Sequence, residues 1–354
     1  MEVRNICLVG HSGSGKTKLA EALLSRSPSG GEVKLDTSPE AKARGFSIDL
    51  NLGYLEWKGS RLFILDTPGF LEFIEELYKG IRVAETAILV INAEKGVEVQ
   101  TEKAWELIQE FRKPALAFIN RMDLENADFA RALEDLRGKL GDKFVPLQLP
   151  IHEGGRFAGV VDLLEEKALY FGATGTTSKK EIPAELADRV KEERERLLEN
   201  LAEVDDELMM QFLEGEEVEQ ARLRPALLEA VRARVFTPVL CGSATTGAGL
   251  DLLLDTLTSA TPPYTDEEEP ELNGLELLVF DLASDPYLGK MAYVKVFGGS
   301  LTEGTELVNL STEAKEKVKD IYRLRGAATE KVPQAGPGEL VALAKVNAAL
   351  GDTL

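Results

Sequence analysis

Gly10-His11-Ser12-Gly13-Ser14-Gly15-Lys16-Thr17 has the spacing G-x-x-x-x-G-K-[ST], and its flanks give the match meaning. The apolar run Ile6-Cys7-Leu8-Val9 precedes it and the helical pattern Lys18-Leu19-Ala20-Glu21-Ala22-Leu23-Leu24 follows. Strand, glycine-rich loop and helix in that order build a phosphate cradle. Small residues let successive backbone N–H groups curve around a phosphate. The helix N-terminus adds its partial positive charge. In such a loop Lys16 is expected to reach the β- and γ-phosphates, and the Thr17 hydroxyl to ligate Mg²⁺.

Working outward, three more segments narrow the nucleotide. Arg61-Leu62-Phe63-Ile64-Leu65 reads as a buried strand ending in Asp66-Thr67-Pro68-Gly69. A carboxylate at that strand end can hold the water shell of Mg²⁺, and Gly69 can offer its N–H to a γ-phosphate. Ala115-Leu116-Ala117-Phe118-Ile119 ends in Asn120-Arg121-Met122-Asp123. The Asp123 carboxylate can accept from both N1–H and the 2-amino group of guanine. Adenine lacks that pair of donors, and a site built for them rejects it by roughly 10⁴-fold or more. Val239-Leu240-Cys241-Gly242-Ser243-Ala244 is a further strand-to-turn segment, whose Ala244 N–H is expected at guanine O6. Four such motifs in this order point to a GTP/GDP-binding domain with Mg²⁺.

These motifs resemble the translational GTPases, and elongation factor G among them. Gly10 to Thr17 has the form G-H-x-x-x-G-K-T of that group. Arg44-Gly45-Phe46-Ser47-Ile48 resembles the first-switch motif R-G-I-T-I, Asp66-Thr67-Pro68-Gly69-Phe70 resembles D-T-P-G-H, and Cys241-Gly242-Ser243-Ala244 resembles C-G-S-A. The resemblance implies that Gly10, His11, Ser12, Gly13, Ser14, Gly15, Lys16, Thr17, Asp66, Asn120, Arg121, Asp123, Ser243 and Ala244 bind nucleotide. It implies Thr17, Ser47 and Asp66 at the metal, Lys16 and Gly69 in catalysis, and a ribosomal partner of RNA and protein.

The organisation fits. Up to Asp123, short apolar strands alternate with amphipathic helices, as in a doubly wound α/β sheet. Helical spacing covers Leu77 to Ala87, Thr101 to Phe111 and Asn126 to Leu140, with a strand at Phe144 to Leu149. The last sheet strand arrives only near Pro238, so residues 151–236 read as an inserted α+β subdomain. Elongation factor G carries an insertion of this kind; elongation factor Tu does not. Its charged helices are expected at Pro183 to Ala202, Asp205 to Leu213 and Glu217 to Ala233. Two prolines and the run Asp266-Glu267-Glu268-Glu269-Pro270 form a linker. Beyond it, short β segments with glycine turns read as a small all-β barrel. The expected division is therefore 1–265 and 266–354, and Asp285-Pro286-Tyr287-Leu288-Gly289-Lys290 resembles the opening of the family's second domain.

Composition sets bounds. The net charge of −20 argues against a free nucleic-acid binder and against DNA as a partner. Residues 151–265 hold 22 acids against 12 bases. Such a run reads either as a solvated helical face or as a dock for a basic protein. No apolar run is long enough to cross a membrane. Cys7 and Cys241 read as small buried hydrophobes in a reducing cytoplasm. A monomer is expected.

Two departures from the family matter. Phe70 stands where the family has histidine, and a phenyl ring can neither place nor polarise the attacking water. Impaired hydrolysis is expected, unless another group positions the water. Ser47 replaces threonine but keeps a hydroxyl. The first switch, 26–47, is short, and Ser27-Pro28-Ser29-Gly30-Gly31 is expected to move without nucleotide. The chain also stops near the close of the barrel, where elongation factor G continues through three more domains. It reads as a trimmed piece or a short natural homologue. Open alternatives are a GTP-gated docking module that hydrolyses little, or a factor of the release-factor-three or ribosomal-protection type.

Overall fold

Six of the seven strands of the main sheet run parallel, so both faces must be covered by helices. The computed structural model describes residues 1–27, 31–172, 177–216, 218–265, 274–285 and 287–354. The chain enters through β1 (Glu2–Val9), α1 (Lys16–Leu24), α2 (Pro39–Arg44), β2 (Asn51–Trp57) and β3 (Ser60–Asp66). It continues with α3 (Ile74–Val83), β4 (Thr86–Asn92), α4 (Val99–Glu110), β5 (Ala115–Asn120), α5 (Phe129–Leu140) and β6 (Phe144–Pro146). A four-stranded antiparallel sheet then intervenes: β7 (Gln148–Glu153), β8 (Arg156–Asp162), β9 (Lys167–Phe171) and β10 (Thr177–Lys180). Helices α6 (Ala187–Ala202), α7 (Asp206–Glu214) and α8 (Gln220–Arg232) follow, before β11 (Thr237–Cys241) and α9 (Leu250–Ala260) return to the main sheet. Its strand order is β2-β3-β1-β4-β5-β11-β6.

The sequence explains the centre of this sheet. Every residue of β4, β5 and β11 is buried, and all three read as near-continuous apolar runs. The edge differs. β2 is antiparallel to β3 and turns into it through Lys58-Gly59, both with positive φ. That is the backbone of a tight two-residue hairpin.

Several expected bounds shift. The helix expected at Leu77 to Ala87 spans Ile74–Val83, and Ala84 is extended (φ −80°, ψ 147°). The chain has to join the sheet there: Glu85 N–H donates to Asn5 O at 2.9 Å. The helix expected from Asn126 begins at Phe129, because the Asp128 side chain caps it by accepting from Arg131 N. The single strand expected at Phe144 to Leu149 is two. β6 pairs with β11 in the main sheet, and β7 pairs with β8 in the inserted one. The inserted sheet therefore begins at Gln148, not at residue 151. The helix expected from Glu217 starts at Gln220; Glu217 itself lies outside the described residues. So do the expected linker run Asp266 to Pro270, residues 28–30 and Pro286.

The second lobe is all β: β12 (Glu276–Asp285), β13 (Gly289–Gly298), β14 (Leu301–Thr302), β15 (Glu306–Val308), β16 (Lys315–Lys317), β17 (Ile321–Arg325), β18 (Ala328–Val332), β19 (Gln334–Ala335) and β20 (Leu340–Ala344). A five-stranded sheet, β12-β13-β20-β17-β18, is joined by two short ribbons around a core that includes Leu277, Val294, Leu301, Ile321 and Leu343. The stretch from Lys315 to Arg325 holds two strands because β16 pairs with β15, whereas β17 pairs with β18 and β20.

The lobes meet over apolar packing, in which Leu278, Phe280, Met291 and Leu340 join the core of the first lobe, and over polar contacts. Asn5 Nδ2 donates to Gly338 O at 2.9 Å, and Gly326 N–H to Leu52 O at 3.0 Å. Lys79 bridges to Asp281 at 2.9 Å. Lys295 is 3% exposed and pairs with Glu85, while its Nζ also donates to Val83 O at 2.8 Å.

Candidate functional site

Parallel strands aim their C-terminal ends at one edge of the sheet, where ligands of such folds collect. β1, β3, β5 and β11 each end there, and each delivers one of the sequence motifs. After β1 the loop turns on Gly10, Gly13 and Gly15, with φ of 137°, 80° and 93°. These left-handed values favour glycine. A Cβ on Gly10 would lie 2.5 Å from Val90 O. The Ser14 N–H donates back to His11 O at 3.2 Å and closes the turn.

Lys16 is buried at the start of α1, and its Nζ donates to Gly10 O at 2.8 Å and His11 O at 2.9 Å. Asp66 ends β3 with no exposed surface. Neither of its carboxylate oxygens makes a well-formed hydrogen bond among the described residues, though the Thr17 hydroxyl lies close enough to lower its pKa. Burial pushes the Asp66 carboxyl up from its ordinary range, opposed by the Lys16 charge; burial pushes the Lys16 ammonium down, opposed by Asp66. A buried carboxylate so thinly solvated calls for a further cation or donors.

The hydroxyls of Thr17 and Ser47 stand 2.9 Å apart. Ser47 Oγ also donates to Asp36 Oδ2 at 2.7 Å, and Asn51 Nδ2 donates to Asp36 Oδ1 at 3.0 Å. Thr17, Ser47, Asp36 and Asp66 thus form an oxygen-rich set of the kind that suits a hard divalent cation, Mg²⁺ included. No sequence motif marks Asp36. It precedes α2 in a stretch without periodicity, and only its hydrogen bonds reveal it.

The second-switch segment closes the other side. A Cβ on Gly69 would fall 2.5 Å from Lys16 Nζ and 2.6 Å from Ser12 N, so only glycine permits this approach. Phe70 turns its ring onto Phe46, with centroids 4.5 Å apart. His11 places Nε2 3.4 Å from Glu98 Oε1, but burial lowers its pKa, so the ring is neutral near pH 7 and the contact is no full ion pair.

At the far side, Asn120 is 1% exposed and braces two loops. Its Nδ2 donates to Ser14 O at 2.9 Å, and its Oδ1 accepts from Ala244 N at 3.0 Å. The Ala244 N–H expected at guanine O6 is therefore engaged by Asn120, and reaching O6 requires that bond to be shared. Ser243 is fully buried, and its Oγ accepts from Thr245 N at 3.2 Å and Thr246 N at 3.1 Å, which shapes the turn. Arg121 has φ +66° and brings Nε within 3.7 Å of the Cβ position on Gly15. Asp123 is exposed, two residues beyond Arg121.

Comparison with known proteins identifies the family. The family model described as the elongation factor Tu GTP binding domain matches residues 1–263, and that of elongation factor G domain 2 matches residues 275–354. An elongation factor G-like protein of Thermotoga maritima is 36% identical over 99% of this chain and 54% of its own length. Elongation factor G of Rhodopseudomonas palustris is 34% identical over 100% of this chain and 55% of its own. A solved structure from Thermus thermophilus superposes with a TM-score of 0.90 at 32% identity, covering 99% of this chain and 54% of that one. The chain spans about half the length of the curated relatives it matches. No helix among the described residues is long and apolar enough to cross a membrane. By sequence and fold, the chain belongs to the elongation factor G family of translational GTPases.

Proposed function

We propose that this chain binds GTP and GDP with Mg²⁺, engages the ribosome in its GTP form and hydrolyses GTP slowly. Asp66 carries the reading: a fully buried carboxylate without a well-formed hydrogen bond among the described residues, offset only by the Lys16 charge and the nearby Thr17 hydroxyl at the strand edge. Thr17 and Ser47 would hold the metal through their hydroxyls, with Asp66 and Asp36 holding its waters. The metal supplies charge neutralisation on the β- and γ-phosphates. The loop from Gly10 to Gly15 offers N–H groups to the phosphates, and Lys16 places its ammonium there. Gly69 N–H reads the γ-phosphate. Asn120, Arg121, Asp123, Ser243 and Ala244 frame the base, with Asp123 accepting from guanine.

Phe70 supports the slow rate. It has no atom that can orient water, so the chain relies on binding and electrostatics alone. For the same reason a GTP-gated ribosome-docking module with little turnover is the second reading. The working units are taken as residues 1–265 and 266–354, acting as a monomer in the cytoplasm. Release-factor-three or ribosomal-protection roles use the same switch. Titration of the chain with GTP, GDP and ATP, with and without Mg²⁺, tests the reading. GTP and GDP should bind far more tightly than ATP, and GTP should need Mg²⁺. Equal affinity for ATP and GTP would refute the base-reading role.

A further inference from the structure

Phe46 stands where R-G-I-T-I has isoleucine, and Phe70 stands where D-T-P-G-H has histidine; in the fold these two departures touch. Their ring centroids lie 4.5 Å apart at an interplanar angle of 50°, and Phe46 is also 6.4 Å from Phe73. Both Phe46 and Phe70 are half-buried, so the contact is made on the flank of the site and not in the core.

The segment that carries Phe46 is anchored where Val33, Leu35, Ala41 and Leu50 are buried, and the ring contact adds a further hold beside Ser47. Between residues 31 and 50, the one regular element is the six-residue α2. Polar anchors exist at its ends: Leu35 N–H donates to Glu21 Oε1 at 3.2 Å and Leu50 N–H to Glu76 Oε2 at 3.1 Å. Ser47 is the residue after Phe46 and carries the hydroxyl that meets Thr17 at 2.9 Å. Serine lacks the branching methyl that restricts a threonine rotamer. Its hydroxyl therefore depends more on how firmly the backbone is held.

We propose that Phe46 and Phe70 form an aromatic clasp between the two switch segments, as positioning residues that hold the Ser47 hydroxyl against Thr17. Phe70 then serves the GTP state by packing, not by handling a proton. The proposal rests on reading Thr17 and Ser47 as the metal's hydroxyl ligands. An aromatic pair contributes a factor of roughly 2 to 12 beyond its buried area, which is the size of effect to expect.

The test combines two readouts on the whole chain. The first uses no nucleotide. Lys42 and Arg44 are exposed in α2, so trypsin can report how firmly the segment is held. Phe46→Ala and Phe70→Ala should each speed cleavage there by roughly 2- to 12-fold. The double variant should cleave no faster than the faster single variant, and Phe70→Tyr, which keeps the ring, should cleave as the unaltered chain does. The second readout is affinity for a non-hydrolysable GTP analogue at fixed Mg²⁺. Each alanine variant should lose a similar factor while GDP affinity stays unchanged, because the first switch is ordered by γ-phosphate and metal together. Unchanged GDP binding also shows that the variants fold. Effects that multiply in the double variant, an unaltered Phe46→Ala, or equal loss for GDP and the GTP analogue would overturn the clasp. Ser47→Ala separates the two layers. If it leaves Mg²⁺-dependent binding of the analogue intact, the ligand reading fails and the proposal with it. If it abolishes that dependence while the phenylalanine effects multiply, the clasp alone fails.

Discussion

At the scale of single residues, the site concentrates charge where water is excluded. Asp66 and Lys16 are both buried, and each shifts the other toward its charged form against the cost of burial. Lys16→Ala removes the loop's cation. Charge-assisted bonds to phosphate are among the strong ones, so GTP affinity should fall at least tenfold, about 1.4 kcal/mol or more; calorimetric titration measures this. Asp123→Asn should move preference from GTP toward xanthosine triphosphate, whose 2-oxo group accepts from the new amide; competition between the two nucleotides reads it out. The motif residues were legible because each sits at a strand end with fixed spacing. Asp36 and Asn51 were not, since what marks them is a hydrogen bond between residues 11 or 15 positions apart in an aperiodic stretch. Nor did the motif foretell that Asn120 engages the Ala244 N–H.

At the scale of elements, α3 links the nucleotide edge to the second lobe. It starts four residues after Phe70. Its Glu76 accepts from Leu50 N–H at 3.1 Å, and its Lys79 binds Glu76 at 2.6 Å and Asp281 at 2.9 Å. Burial raises the Asp281 pKa, and Lys79 holds it down. Lys79→Met removes that restraint and leaves Asp281 charged and poorly solvated. A loss of about 1.5–3 kcal/mol is expected, read as a lower urea midpoint at neutral pH. The sign with pH follows from linkage. A carboxyl whose folded pKa is raised keeps its proton at a pH where the unfolded chain has lost it. The deficit of the variant should therefore be full at neutral pH and shrink as pH falls through the raised pKa of Asp281. Elements with a long apolar face were legible in the sequence. The ends of α3 and α5 were not, because sheet entry and the Asp128 cap, not periodicity, set them. The split between β6 and β7 was invisible for a different reason. Both are largely buried, so the change of sheet leaves no polar break.

At the scale of the whole molecule, two lobes with separate folds are joined by buried charge as well as by shared apolar packing. Lys295 on β13 pairs with Glu85 just before β4, and Arg61 and Arg323 converge on Glu339. Lys295→Met leaves Glu85 without its buried partner, though Asn5 still donates to it at 2.8 Å. Breaking one side of a buried pair typically costs about 3–5 kcal/mol. Thermal unfolding of this variant should begin at lower temperature. GTP affinity at 25 °C should change little, because the partners of Lys295 lie outside the nucleotide motifs. A coincident loss of both would mean the lobes cannot be perturbed separately. The two-lobe order was legible from the shift between α/β alternation and short glycine-bounded strands. The contacts between lobes were not, because they join residues as far apart as Asn5 and Gly338.

We propose that this GTPase-family chain carries a GTP switch whose hydrolysis is held back at position 70. Single-turnover hydrolysis of bound GTP on ribosomes, comparing the unaltered protein with Phe70→His in a chain of the relatives' full length, decides it. Hydrolysis should be slow with Phe70 and rise by about 10²-fold or more with histidine, the scale of a positioned acid–base group. Equal rates for the two forms, both as fast as a histidine-bearing relative, would contradict it.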